Sequence, residues 1–151
     1  MKLLPVIKKL RAKFPDFKVR QLTDFYNRIY ALIVLPECEY EMTLTFEYEY
    51  VVLSFGYLNS TYGYSQNDFE YMCREIGMLL SGECCVLSAF ANGKYFASML
   101  AYDHELSTDF YAKEIKNFFM GTVNQGEIKL NYINSNKDKN FSFLGSNFTE
   151  L

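Results

Sequence analysis

The chain has 151 residues, 50% of them hydrophobic, with 14 Phe, 13 Tyr and no Trp, a length that fits one domain (residues 1–151) with a sizeable core. Its net charge of −3 hides an asymmetry, because residues 1 to 30 sum to +6 and residues 31 to 151 to −9. An acidic body of this kind repels nucleic acid, whose affinity rests on phosphate neutralisation, and attracts a basic protein surface.

The apolar run Leu3 to Ile7 is short, contains Pro5 and meets Lys8 and Lys9, which argues against a secretory signal. The longest apolar run, Ile29 to Leu35, has seven residues, against the roughly 20 that span a bilayer. A soluble, cytoplasmic protein without a membrane partner is expected. Leu4 to Phe14 reads as a basic helix that Pro15 ends: Pro5 suits a first helical position, Val6, Ile7, Leu10 and Phe14 make the apolar stripe, and Lys8, Lys9, Arg11 and Lys13 lie mostly off it. From Phe17 to Leu35 the pattern is mixed. Leu22, Phe25, Tyr26, Ile29 and Tyr30 fit a helical stripe, yet two strands, Phe17 to Leu22 and Arg28 to Leu35, are the favoured reading.

The stretch Glu39 to Tyr50 organises the chain. Tyr40, Met42, Leu44, Phe46, Tyr48 and Tyr50 alternate without error with Glu39, Glu41, Thr43, Thr45, Glu47 and Glu49, the period of a strand with one dry face. Its other face, with four carboxylates and two hydroxyls, must meet water or a partner. After Tyr50 the apolar phase slips by one, so a hairpin pairing Glu39 to Glu47 with Tyr50 to Leu58 is expected. Asn59 to Tyr64 then reads as a polar, aromatic loop.

Ser65 or Asn67 can cap the next helix, in which Phe69, Met72, Cys73, Ile76, Leu79 and Leu80 repeat at three and four before Ser81-Gly82. Asn92-Gly93 is the strongest short hairpin signal, joining Cys84 to Phe90 with Lys94 to Tyr102; both strands are apolar on both faces and belong toward the middle of a sheet. Ser107 or Thr108 caps a helix reaching Gly121, Glu127 to Ile133 is a further strand, and residues 134–151 form a loosely ordered tail. Hairpins with interspersed helices give an α+β fold, with a mainly antiparallel sheet of about six or seven strands and helices mainly on one face.

Cys38, Cys73, Cys84 and Cys85 are too few and too irregular for a disulfide framework and lack the paired spacing of a zinc site. They read as buried thiols. Nucleophilic catalysis needs a base, and the one histidine, His104, sits between Asp103 and Glu105; nothing in the spacing asks for a Cys84/His104 pair. Asp103, His104 and Glu105 splay as consecutive residues, and neither phosphate-binding glycine pattern is present. The reading is of a non-enzyme with no cofactor and no metal.

The acidic strand Y-E-M-T-L-T-F-E-Y-E-Y, followed by N-S-T-Y-G-Y-S leading into a helix and then an Asn-Gly hairpin, resembles the immunity proteins that protect bacteria from polymorphic or contact-dependent toxins. That resemblance covers about Val19 to Tyr132. It implies a non-catalytic inhibitor that binds a cognate toxin, often a basic nuclease, by covering its active site or blocking its substrate path. Independently of it, carboxylates on a rigid strand can steer a basic partner while neighbouring tyrosines supply ordered contact area. Glu41, Glu47 and Glu49, with Tyr48, Tyr62 and Tyr64, are therefore the expected partner-binding residues. A regulatory or oligomerising domain, or a small hydrolase using the Cys84/His104 region, are the alternatives.

Overall fold

Pro5 has no amide hydrogen to lose in the first turn of a helix. Helix α1 runs Pro5–Lys13 from it in the computed structural model, which describes residues 4–102, 127–144 and 147–151. Ile7 and Leu10 are buried while Lys8, Lys9, Arg11 and Lys13 are exposed, the split expected of an amphipathic helix. Five strands follow: β1 (Val19–Thr23), β2 (Ile29–Ile33), β3 (Met42–Phe46), β4 (Val51–Phe55) and β5 (Leu58–Tyr62). Helix α2 (Gln66–Ser81) comes next. The remaining described elements are β6 (Cys84–Ala91), β7 (Lys94–Tyr102), β8 (Glu127–Asn134), β9 (Lys137–Leu144) and β10 (Asn147–Glu150). The chain divides into two compact units, Met1–Met78 and Leu79–Leu151, a division that falls in the last turn of α2.

The first unit is a meander in which each strand pairs antiparallel with the next, in the order β1-β2-β3-β4-β5. Alternation buries Ala31, Ile33, Met42, Leu44, Val51, Leu53 and Phe55 on one face. Val51 lines a cavity of about 230 Å³ with Pro5, Val6 and Lys9 of α1 and Phe69 and Met72 of α2, so both helices lie on that inner face. The outer face of β3 carries only Thr43 and Thr45, paired with Leu32 and Tyr30 of β2 and with Ser54 and Val52 of β4. The expected carboxylate face is therefore absent. The ladder stops at Phe46, and the four glutamates lie beyond its two ends.

Ser65 begins α2 as its sequence suggests. Its hydroxyl oxygen accepts the Asp68 amide at 3.1 Å and its proton goes to Asp68 Oδ2 at 2.6 Å. Gly63 makes room for that carboxylate, since a Cβ there would stand 2.5 Å from Asp68 Oδ2. Replacing Ser65 with Ala should cost about 1 kcal/mol of stability, read as a lower urea midpoint with an unchanged slope.

In the second unit the order is β10-β9-β8-β6-β7, all antiparallel. Asn92 and Gly93 take φ of 52° and 78° and close the β6–β7 hairpin as their sequence predicts. Strand β6 is interior and buried on both faces, whereas β7 is terminal among the described strands, a correction to its expected central place. Cys85, Leu87, Ala89, Ala101, Ile128, Leu130, Tyr132 and Phe141 form the core, with the Tyr132 and Phe141 rings stacked at 4.7 Å. The β8–β9 turn closes the end of α2: Ser135 donates its hydroxyl to Leu80 O at 2.7 Å and its amide to Leu79 O at 3.3 Å.

The fold is thus α+β and antiparallel, but the strands among the described residues form two five-stranded sheets rather than one of six or seven. Two differences account for the extra strands. Residues 58–62, expected mostly as loop, pair as β5, and residues 137–144 and 147–150, expected as a loose tail, pair as β9 and β10. In β5 the polar Asn59 and Thr61 are exposed at a sheet edge while Leu58 and Tyr62 are buried, so the strand needs little apolar sequence. The helix expected over 107–121 and the Asp103-His104-Glu105 group lie outside the described residues.

Candidate protein-interaction site

The β1–β2 and β3–β4 turns project from the same end of the first sheet. In the first, Asp24 O accepts the Asn27 amide at 3.0 Å, Asn27 takes a left-handed φ of 60°, and the Asp24 amide returns to Arg28 O at 2.9 Å. This is a three-residue connection with asparagine where a positive φ is needed. Asp24 Oδ1 also accepts the Tyr26 and Arg28 amides, each at 2.8 Å. Slight burial acts to raise the Asp24 carboxyl pKa, but the Arg28 and Tyr26 hydrogen bonds outweigh it and hold the group below its usual value.

Arg28 joins the two turns. Its Nε lies 2.7 Å from Asp24 Oδ2 and its Nη1 3.5 Å from Glu47 Oε1, while its guanidinium carbon sits 5.5 Å from the Tyr26 ring centre. In the second turn the Glu47 amide donates to Tyr50 O at 2.9 Å. That bond ends the ladder and resets the apolar phase, which is why the alternation slips after Tyr50. The Tyr64 hydroxyl braces the turn from beneath, donating to Glu47 O and lying 3.2 Å from Tyr50 O. Burial, and then the Glu47 charge, push the Tyr64 phenol pKa up, so it stays a donor. Phenylalanine at position 64 should leave the sheet folded but loosen the turn by about 1 kcal/mol. Faster amide hydrogen exchange at Glu47 would report it.

The six residues expected to bind a partner do not form one group. Glu47, Tyr48, Glu49 and Tyr64 share this end, with Tyr48 95% exposed. Glu41 lies in the connection before β3, roughly 20 Å away at about 3.4 Å per residue. Tyr62 is only 6% exposed; its hydroxyl donates to Glu75 Oε1 at 2.8 Å, and burial first, then Glu75, push its pKa well up. It packs with α2 and offers no surface. The expectation missed Phe25 and Tyr26, which are 94% and 76% exposed on the neighbouring turn. The signal for them was Asp24 three residues before Asn27, a turn pattern that the helical stripe through Phe25 and Tyr26 obscured.

Elsewhere, Cys73, Cys84 and Cys85 are buried and Cys38 half-buried, all as thiols outside any disulfide. Burial pushes the Cys73 thiol up to about 11, the opposite of activation. Among the described residues no helix is long and apolar enough to cross a membrane. Comparisons with protein-family models, curated proteins and solved structures return no match to this chain.

Proposed function

We propose that this protein is a non-catalytic, cytoplasmic inhibitor of the immunity-protein kind, which binds a basic protein toxin through the Glu47–Tyr50 end of its first sheet. The observation that carries the reading is the pairing of charge with rigidity. Glu49 is exposed at the tip, Glu47 is half-buried beside it, and both stand on a turn whose backbone is fixed by Tyr64. No Lys or Arg occurs between Arg28 and Arg74. A partner rich in lysine and arginine is steered by such a surface and meets a backbone that loses little freedom on binding.

The test is genetic and direct. The toxic C-terminal domain of a large secreted protein encoded beside this gene should arrest growth when expressed alone. Co-expression with this chain should restore growth, and the two should co-purify. Arrest that persists despite abundant, folded protein would reject the reading.

A further inference from the structure

The β1–β2 turn places two large aromatic side chains in water without any need of the fold for them. The turn is closed by the backbone and by the Asp24 carboxylate, which accepts the Tyr26 and Arg28 amides, with the positive φ at Asn27, whereas the Phe25 and Tyr26 side chains are 94% and 76% exposed. A single exposed aromatic calls for no explanation. Here there are three large ones on two turns that Arg28 ties together, since Tyr48 is 95% exposed on the other. The Phe25 and Tyr26 rings meet edge to face at 5.6 Å, and Arg28 lies over Tyr26, so this pair is held in one arrangement before any partner arrives.

We propose that Phe25 and Tyr26, together with Tyr48, are an apolar anchor that enters a cleft on a partner protein, and that the cleft is rimmed by lysine or arginine. This rests on the reading that the Glu47–Tyr50 end binds protein, and it adds which residues hold the complex once charge has brought it together. Charge selects the class of partner. Within the two turns, residues 24–28 and 47–50, the charges are Asp24, Glu47 and Glu49 against Arg28, a negative balance that repels an anionic bilayer or a nucleic acid and complements a cationic rim. Exposed aromatics beside charged groups are the residue types from which an interface centre and its rim are made.

A random peptide library displayed on phage supplies the probe. Selection on the native protein should enrich peptides that combine Trp, Phe or Leu with Lys or Arg. Synthetic versions should bind Phe25→Ala/Tyr26→Ala at least tenfold more weakly, while Phe25→Leu/Tyr26→Phe retains most of the affinity. Because both side chains are exposed, all variants should unfold at nearly the same temperature as the parent. Enriched peptides that bind the double alanine variant as well as the parent would overturn the anchor, as would a failure to enrich any peptide. Binding to phosphatidylglycerol vesicles that depends on Phe25 and Tyr26 would also overturn it, in favour of a membrane. The anchor and the charge reading fail separately. Peptides that need Phe25 and Tyr26 but carry no basic residue would keep the anchor and reject the basic partner. Peptides that need Glu47 and Glu49 but tolerate the alanines would do the reverse.

Discussion

Phe55→Ala should destabilise the first unit by about 3 to 5 kcal/mol, the largest stability effect expected of a single truncation there. Phe55 heads the fully buried side chains by size and is fully excluded from solvent on the inner face of β4. It stands opposite Met42 on one side and Leu58 on the other. A two-residue turn follows directly, with Gly56 at φ 58°, so the backbone at this point has little latitude to close over a void. The cost is therefore lost burial plus most of a cavity. Denaturation in urea, followed by far-ultraviolet circular dichroism, should show the shift, and the amides of β3 and β4 should exchange faster. A loss below about 1 kcal/mol would mean that this layer is not what holds the sheet.

The largest effect on binding should come from reversing the charge of the β3–β4 turn. In Glu47→Lys/Glu49→Lys the Glu49 side chain is exposed and the Glu47 side chain 33% exposed, and surface changes of this kind usually alter folding by no more than about 0.5 kcal/mol. Lysine at position 47 would face Arg28, which now lies 3.5 Å from Glu47, so Glu47→Gln/Glu49→Lys is the gentler companion. Affinity for the proposed toxin partner should fall by at least about tenfold in the double lysine variant, chiefly through a slower association rate. The deficit should shrink as salt rises, since screening removes steering first. Unchanged rate and affinity at low salt in a folded variant would leave this end as merely solvated turn.

Local chemistry made some elements readable from sequence. Asn92-Gly93 supplies both positive φ angles of its hairpin, and Ser65 with Asp68 supplies the start of α2, so each is decided within a few residues. Sheet boundaries are decided elsewhere. The alternation from Glu39 to Tyr50 is faultless as a pattern, yet period reports only where side chains would point if a neighbour were there to hydrogen-bond. The Glu47 amide turns back to Tyr50 O, and the strand shrinks to Met42–Phe46. Strand β5 is the converse case: its N-S-T-Y sequence is polar, and its pairing with β4 is what makes it a strand. The candidate site was half legible. Glu47, Tyr48, Glu49 and Tyr64 follow from local sequence, whereas the separation of Glu41, the burial of Tyr62 and the approach of Phe25 and Tyr26 follow from register.

Gly63, Tyr64 and Ser65 are consecutive, and each has a different duty: space for the Asp68 carboxylate, a hydroxyl under the β3–β4 turn, and the cap of α2. Loops ordinarily absorb changes of length with ease. This one has no slack, because a single residue inserted between Gly63 and Ser65 would take the phenol away from the turn or the hydroxyl away from the helix. Tyr48 and Glu49 carry no such double commitment, and the chain can lengthen there without disturbing what lies beneath. Diversification of the proposed binding end is thereby confined to the tip residues and to their number, above a hinge-free support whose length cannot drift.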